Sequence, residues 1–312
     1  IVRLAYRAND HGSLLALLSK GGRLLVVRIA ADDVAGDHPI ITELPQPRGT
    51  VTALALDALL ENLYVGTADG QVVHVALSET ESPEMRAAYT VAASSTAVTT
   101  LGFLSGDRSL VVMSEDGAVS TWGLVRRADA PSGWTLTQIH TLRAHNAPVT
   151  AFAPSQRVKG FVTGDMKGNL FLHHATSSQT LLRLANSEFP IRAVAFAPKG
   201  DGLIALDGAG QLSLYQVQNA YPEVTLETLF AKVWYEGYDQ PAHVWQSSSG
   251  SDDVEPKLGL LPLAFGTLKG TMYALFLAVP IAILAAMCTS QFMHQDLRAK
   301  IKPIIEVMAA LP

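Results

Sequence analysis

The sequence predicts a mainly β chain that ends in two helices of opposite character. Three observations carry this prediction: a unit of short apolar strands that recurs before about residue 231, a regular spacing of turn glycines, and a long uncharged run near the end. Of the 312 residues, 48% are hydrophobic and 16% are charged. About a quarter charged is usual for a soluble protein. The average therefore mixes a β-rich region with a far more apolar one.

The recurring unit consists of an alternating apolar strand, a loop, a second strand, a tight glycine turn and a third strand. Clear copies start at Val51, Val98, Val149 and Ile191, and a shorter copy starts at Ser13. Strands of four to six β-branched or alternating residues, joined by Asp-Gly, Lys-Gly or Ala-Gly pairs, are typical of hairpins. A lone sheet of this size cannot bury both faces, so the copies must stack on one another.

The spacing of the turn glycines indicates how the copies stack. Successive glycines are 48, 47, 51 and 42 residues apart, which is the length of propeller blades. The glycines are Gly22, Gly70, Gly117, Gly168 and Gly210. We therefore predict a β-propeller with about five visible blades. We expect missing blades before Ile1 and one degenerate blade around Thr225 to Trp234.

The copy that begins at Val149 resembles a WD40 repeat. Ala144-His145 stands where that family has Gly-His, Thr163-Gly164-Asp165 and Gly168 match its turn, and His173-His174 replaces the closing Trp-Asp. The copy before it keeps four positions of the pattern, namely Ser114, Asp116, Gly117 and Trp122. This resemblance implies a divergent WD40-like propeller.

The histidines of this region are candidates for a metal site. His140, His145, His173 and His174 fall in one blade. Adjacent residues on a strand point to opposite faces, so His173 and His174 cannot share one ion without distortion. We therefore predict that these histidines are structural and that His145 hydrogen-bonds near the Asp165 turn.

Acidic residues recur at equivalent turn positions: Asp69, Asp116, Asp165 and Asp207. Repeated acids can line a channel or hold Ca²⁺, but these lack the dense acidic spacing of a calcium loop. Aspartate favours such turns because its carboxylate bonds nearby backbone N–H groups. We predict that this is their role.

Composition and motifs exclude several classes of function. We find no phosphate-binding glycine loop, nucleophile elbow or zinc-protease helix motif, and we expect neither an enzyme nor a bound cofactor or metal. The net charge is −5 and no Lys/Arg block is present, so nucleic acid is not an expected partner. The single cysteine, Cys288, excludes an intrachain disulfide.

The uncharged run predicts a membrane span. From Gly270 to Cys288 there are nineteen residues without a charge, and a bilayer core of about 30 Å needs roughly 20. A buried helix of a soluble protein is the alternative, but no remaining part of the chain is large enough to surround it. Membrane bundles tolerate a kink at Pro280. The lipid bilayer is therefore an expected partner.

Flanking charges predict the orientation of this span. Residues 289–303 contain Arg298, Lys300 and Lys302, whereas acids dominate the residues before Leu258. Basic residues concentrate on the cytoplasmic side. We therefore expect the propeller outside the membrane and the C-terminal part inside. The predicted domains are a propeller at 1–231, a linker at 232–257, a segment leading into a transmembrane helix at 258–288, and a cytoplasmic region at 289–312.

The last 70 residues resemble the start of the transmembrane domain of the phosphate-specific ABC transporter permease (PstC) family. The resemblance rests on Val244-Trp245, Pro262 with Gly266-Thr267-Leu268, Ala278-Val279-Pro280, Lys302-Pro303, and the run from Glu306 to Pro312. It is collinear. The chain departs from the short form of the family because a propeller occupies what is otherwise a brief extracytoplasmic loop.

This resemblance implies part of a phosphate importer in a bacterial inner membrane. It implies two protein partners, an ABC ATPase subunit that hydrolyses ATP and a second permease subunit. We separately expect the propeller, because of its open blade loops, to bind another protein, and the candidate is the periplasmic phosphate-binding protein that delivers substrate. The segment that begins at Lys300 would start the region that couples to the ATPase. Its implied coupling residues are Ile304, Ile305, Glu306, Met308, Ala309 and Ala310. Apolar residues at i, i+3, i+4 and i+7 there predict an amphipathic helix.

Two other functions remain open. The first is a membrane-tethered propeller scaffold that has no part in transport, in which the span is only an anchor. The second is a periplasmic enzyme built on a propeller, for which the sequence offers no catalytic constellation. An ordinary amphipathic surface helix is likewise the alternative to a coupling helix.

Overall fold

The computed structural model describes residues 2–30, 39–77, 83–93, 95–130, 133–185, 187–218, 220–248 and 255–310. The chain divides into two compact units, Ile1–Gly259 and Leu260–Pro312. The first unit is built from antiparallel sheets and the second from helices. Each unit is described separately below.

Among the described residues, the first unit contains five sheets of three or four strands that follow one another along the chain. The first sheet holds β1 (Arg3–Asn9), β2 (Gly12–Leu18), β3 (Leu24–Ala30) and β4 (Ile40–Glu43), and the second holds β5 (Val51–Leu56), β6 (Asn62–Thr67), β7 (Gln71–Ala76) and β8 (Glu84–Thr90). The third holds β9 (Val98–Phe103), β10 (Ser109–Ser114), β11 (Val119–Arg126) and β12 (Trp134–Leu142). The fourth holds β13 (Val149–Pro154), β14 (Gly160–Asp165), β15 (Asn169–His174) and β16 (Gln179–Ala185), and the fifth holds β17 (Ile191–Phe196), β18 (Gly202–Asp207) and β19 (Leu212–Gln216).

Every sheet has the same order, with each strand paired to the next one along the chain. The first strands of successive sheets contact each other: β1 contacts β5, β5 contacts β9, β9 contacts β13, and β13 contacts β17. Sheets stacked through their first strands are the blades of a propeller-like array. The five blades predicted from glycine spacing are therefore the five sheets.

Alternating side chains form the contacts between blades. Between the second and third blades, Tyr64 and Val72 pack with Val98, Phe103 and Leu110 in one buried cluster. Tyr64 meets the ring of Phe103 edge-on, with the centroids 5.6 Å apart. Each such buried side chain contributes about 1.5–3 kcal/mol. The alternation of side chains along the sequence therefore explains both why these segments form strands and why the sheets stack.

One turn glycine is required by its surroundings. Gly168 has a φ of +81°, and a Cβ built on it would lie 1.9 Å from the carbonyl oxygen of Ser187. Both the positive φ and the close approach exclude any larger residue. The β14–β15 hairpin, which carries Asp165, therefore depends on glycine at this position.

Two outward faces of the array are open to solvent. On the first blade Leu4, Tyr6 and Ile41 are 55%, 58% and 63% exposed, and on the fifth blade Leu212 and Leu214 are 55% and 71% exposed. The other blade faces bury residues of the same type. The described blades thus form an open array.

The structure corrects two expectations about the residues after the fifth blade. Residues 225–234 do not form a degenerate blade: Leu226–Phe230 is a short helix, α1, which Thr225 caps. The described part of the predicted linker belongs to the first compact unit, and it buries Val233, Tyr235 and Glu255. It contains the short paired strands β20 (Trp245–Gln246) and β21 (Lys257–Leu258). Residues 249–254 of that prediction lie outside the described residues.

The second unit consists of two helices. Helix α2 runs from Leu261 to Met287, continues as a π-helical turn at Cys288–Phe292, and has no buried side chain. The stretch Leu261–Phe292 is long and apolar enough to cross a membrane. Helix α3 spans Gln295–Ala310. The mainly β fold followed by an apolar helix and a further helix is as predicted.

Candidate functional site: the docked segment and its buried acid pair

A chain of buried hydrogen bonds runs through the fourth blade. His145 Nδ1 lies 2.9 Å from Asp165 Oδ2, and His145 Nε2 lies 2.7 Å from the hydroxyl of Thr163. The same hydroxyl lies 3.0 Å from His173 Nε2, and His173 Nδ1 lies 3.0 Å from the hydroxyl of Thr180. The predicted bond between His145 and the Asp165 turn is confirmed.

The electrostatics of this chain favour neutral imidazoles. Burial and, as a smaller effect, the nearby His145 lower the pKa of His173 to about 3. Burial also lowers the pKa of His145, against the opposing effect of Asp165. Burial alone would raise the pKa of Asp165, but hydrogen bonds from Asn169 and His145 lower it. The carboxylate of Asp165 and the neutral histidine rings complete a network of buried hydrogen bonds. This chain of residues therefore has a structural role.

His174 and three of the four turn aspartates, Asp116, Asp165 and Asp207, bond as predicted. The four aspartates are not at equivalent positions, because Asp165 and Asp207 end their strands whereas Asp69 and Asp116 follow theirs. His174 points away from His173 and bonds the hydroxyl of Ser177 at 2.9 Å. Asp165 accepts the N–H of Lys167 at 2.9 Å, and Asp207 accepts the N–H of Ala209 at 2.9 Å. Asp116 accepts the N–H of Ala118 at 3.1 Å. Within the described parts of the chain, no group of three His, Cys, Asp or Glu side chains is placed to hold a metal ion.

The residues after α1 fold back onto the third and fourth blades. We call residues 233–248 and 255–259 the docked segment. The ring of His140 on β12 lies 3.1 Å from the carbonyl oxygen of Trp234, and its other nitrogen lies 2.8 Å from the hydroxyl of Ser178. The N–H of Arg126 donates to Asp239 at 3.0 Å. The docked segment is therefore tied to several strands of two blades.

Two carboxylates and one ammonium group lie buried where the docked segment meets the fourth blade. Lys159 is 2.7 Å from Glu236 Oε2, with side chains only 3% and 10% exposed. Lys159 also donates to the carbonyl oxygen of Ser105. Glu255 accepts the backbone N–H of Glu236 at 2.8 Å and a hydrogen bond from Thr176. The second oxygen of Glu236, Oε1, is buried without a hydrogen-bond partner among the described residues.

This arrangement changes the proton affinity of Glu255. Burial and, as a smaller effect, the negative charge of Glu236 raise the pKa of Glu255, which is about 7. Hydrogen bonds from Thr176 and from the N–H of Glu236, together with the charge of Lys159, oppose that rise. Burial and a like charge are the two effects that keep a carboxyl group protonated near neutral pH.

A cavity of about 300 Å³ adjoins the acid pair, between the docked segment and the second and third blades. Its walls are mainly aromatic and aliphatic, and its polar groups include Arg108, Glu236 and Glu255. The aromatic wall residues are Tyr64, Phe103, Trp122, Trp234, Tyr235 and Tyr238. Tyr235, only 2% exposed, is packed.

The acid pair itself was missed by the sequence analysis. Glu236 and Glu255 are isolated acids in a stretch with no repeat, and Lys159 lies in an ordinary blade loop. The available signal was weak: Glu236 follows a run of aromatic residues, and Glu255 directly precedes Pro256. Neither pattern indicates that the two residues meet across 19 positions of the chain.

The predicted coupling residues lie on helix α3. Ile304, Ile305 and Met308 are 59%, 50% and 69% exposed, and Glu306 is 3.8 Å from Lys302 one turn earlier. Ala309 and Ala310 end the described helix, and Leu311 and Pro312 of the family pattern lie outside the described residues. The helix is as predicted, and its coupling role stays a prediction.

Comparisons with known proteins show the fold of the first unit. Three solved propellers are similar to it. The β-propeller domain of Myceliophteria thermophila Cps50 (Swd1) has a TM-score of 0.54 at 16% identity, over 67% of this chain and 68% of that chain. The WD40 propeller domain of Doa1 has a TM-score of 0.52 at 18% identity, over 68% and 64%. Chaetomium thermophilum Sqt1, solved with the N-terminus of the ribosomal protein L10, has a TM-score of 0.54 at 15% identity, over 69% and 60%.

These similarities show a WD40-like β-propeller fold. The chain spans 60–68% of the length of these three structures. No protein-family model matches the sequence, and no curated protein sequence matches it either.

Proposed function

We propose that this chain is the part of a phosphate ABC importer's permease subunit in which an extracytoplasmic, protein-binding propeller leads into a membrane span. The single observation that carries the membrane assignment is helix α2. Its 27 residues include large apolar side chains that no protein surrounds, such as Phe276 and Leu277, which are 80% and 65% exposed. In water this surface is unfavourable, whereas a bilayer core accommodates it.

The hydrogen bonding of α2 is compatible with a lipid environment. The hydroxyls of Thr267 and Thr271 donate to the carbonyl oxygens of Leu263 and Thr267, both at 2.9 Å. These polar groups are therefore satisfied within the helix, as a bilayer requires. Lys269 lies 5.6 Å from the ring of Tyr273, so the one charge of α2 has a local partner near the start of the helix.

A protein-binding role for the propeller is supported by its architecture. One WD40-like neighbour, Sqt1, was solved with a segment of a ribosomal protein. Several of its blade turns carry exposed residues, namely Glu115 and Asp116, Met166 and Lys167, and Pro198 and Lys199. We propose the phosphate-binding protein of the importer as its partner. The binding protein delivers substrate on the side of the membrane where the flanking charges place the propeller.

The first test is capture of that binding protein. The full-length permease is expected to retain the phosphate-binding protein in a pull-down, and a permease that lacks residues 1–259 is expected to lose most of this capture. Membrane levels of the two forms are matched by immunoblot. Equal capture by both forms would show that the propeller is not the binding module.

The second test addresses the coupling residues. Glu306→Lys and Ala309→Asp in the full-length permease are expected to lower phosphate uptake by at least tenfold, because both place an altered charge on the surface that we assign to the ATPase. Asp296→Lys and Ala299→Asp are the matched controls, since they make the same changes earlier on α3. Uptake of radioactive phosphate by cells measures the effect.

The second candidate function is a membrane-tethered propeller scaffold without a transport role. It is favoured by the fact that α2 is the one helix among the described residues that is long and apolar enough to span a membrane. A scaffold tolerates Glu306→Lys and Ala309→Asp. Unchanged phosphate uptake by these two variants, at normal protein levels, would favour the scaffold over the permease.

A further inference from the structure

We propose that Glu236, Glu255 and Lys159 form a proton-binding clasp that makes the docked segment attach more firmly to the propeller when the cluster gains a proton. Glu236 and Glu255 lie in the last residues of the first unit, before the apolar helix in the sequence, and Lys159 lies in the fourth blade. It rests on contacts within the first unit and does not depend on a transport function.

The cluster buries more negative than positive charges. The cluster contains two carboxylates and one ammonium group, all at most 10% exposed. With both acids ionised, one negative charge is buried without a compensating cation. Such a charge costs several kcal/mol even after the protein relaxes. One added proton makes the cluster neutral as a whole.

The hydrogen bonds to the two acids do not supply the missing positive charge. Both oxygens of Glu255 accept a hydrogen bond, and both donors, Thr176 and the N–H of Glu236, are uncharged. Lys159 bonds one oxygen of Glu236, and Glu236 Oε1 has no partner among the described residues. An ionised pair therefore leaves an acceptor buried and unsatisfied, which is unfavourable.

The surrounding titratable groups supply no second buried cation to the pair. His140 on β12 is held neutral, because burial lowers its pKa to about 4. Lys257 of the docked segment donates to Gln246 at 2.8 Å. Arg108 at the β9–β10 turn is exposed at the cavity wall. The other titratable groups that line the cavity are Asp57, Tyr64, Asp107, Tyr235 and Tyr238. Among the described residues, Lys159 is thus the cation in direct contact with the pair.

The direction of the pH effect follows from the raised proton affinity of Glu255. Its pKa in the docked state is raised to about 7, above the ordinary value of a glutamate in water. A group whose pKa is higher in the docked state stabilises docking fully at pH values below its ordinary pKa. That stabilisation is lost as the pH rises through about 7. The docked segment is therefore held most firmly in mildly acidic conditions and least firmly above pH 7.

The experiment measures local opening of the docked segment in the full chain, held in a lipid nanodisc. Hydrogen–deuterium exchange is followed between pH 5 and pH 8 and corrected for the intrinsic pH dependence of exchange. The reporters are the amides of Glu236, Ala242 and Gly259, which are hydrogen-bonded in the docked state. We expect protection to fall on the order of 10- to 100-fold over this range.

Substitutions separate the clasp from other causes of pH dependence. Glu255→Gln is expected to abolish the fall in protection, because the amide keeps the shape of the side chain and cannot ionise. Glu236→Gln is expected to move the fall to lower pH, since it removes the like charge. Glu227→Gln, on the exposed face of α1, is the control and should match the unmodified chain.

Two results would overturn the proposal. One is protection in the unmodified chain that stays constant from pH 5 to pH 8. The other is a Glu255→Gln variant whose protection falls as steeply as that of the unmodified chain. If Glu255→Gln does not fold, an unshifted fall in the Glu236→Gln variant would overturn it equally.

Discussion

Replacement of Asp165 by alanine is expected to lower the free energy of unfolding of the propeller by about 3–5 kcal/mol. The Asp165 side chain is fully buried, and it accepts hydrogen bonds from the His145 ring and from the side-chain amide of Asn169. It also accepts the backbone N–H groups of Lys167 and Asn169. Alanine removes the acceptor of all these donors, of which the His145 ring is buried and the others are partly buried, and each loss is costly.

Urea denaturation, followed by tryptophan fluorescence, measures this loss. Asp116→Ala is the matched control, because Asp116 occupies the equivalent turn of the third blade but is exposed and bonds only Ser114 and the N–H of Ala118. We expect the control to lose about 1 kcal/mol. Similar losses for the two variants would mean that the buried chain of hydrogen bonds contributes no more than an ordinary turn.

A charge at the centre of helix α2 is expected to prevent stable insertion into a membrane. Phe276 lies near the middle of the stretch Leu261–Phe292 and is 80% exposed in the isolated chain. Arginine at the centre of a transmembrane helix costs about 2.5–3.5 kcal/mol of insertion free energy. For Phe276→Arg we therefore expect the fraction that resists alkaline extraction from membranes to drop by at least tenfold.

Phe292→Arg is the control for this prediction. Phe292 is equally exposed but stands at the end of the apolar stretch, where a long basic side chain reaches the headgroup region. This variant should remain with the membrane. If both variants are retained equally, α2 is held by protein contacts and does not span the bilayer.

The sequence was sufficient to predict most of the fold because each blade is determined locally. The alternation in the copies that start at Val51 and Val149 specifies which side chains face the neighbouring blade, and glycines such as Gly168 specify the hairpins. The bond between His145 and Asp165 was also predictable, since both residues fall at recognisable positions of one repeat. Local patterns of this kind need no knowledge of distant parts of the chain.

The docked segment could not be predicted, because local patterns do not determine its contacts. Its partners are distant in sequence: Thr176 and Glu255 are 79 residues apart, and Arg126 and Asp239 are 113 apart. Neither periodicity nor spacing connects such residues. The Ser/Gly/Asp-rich composition around 247–253 favours a linker, but composition alone does not show that Tyr235 and Glu255 are buried.

These long separations also have a kinetic consequence. Each blade pairs strands that are neighbours in the chain, so it closes short loops, whereas the docked segment must close loops of about a hundred residues. The entropic cost of closing a loop rises with its length. Contacts of high sequence separation also form late in folding. During synthesis the blades can therefore assemble in order as they emerge, and the docked segment completes the domain only after the fourth blade exists to receive it.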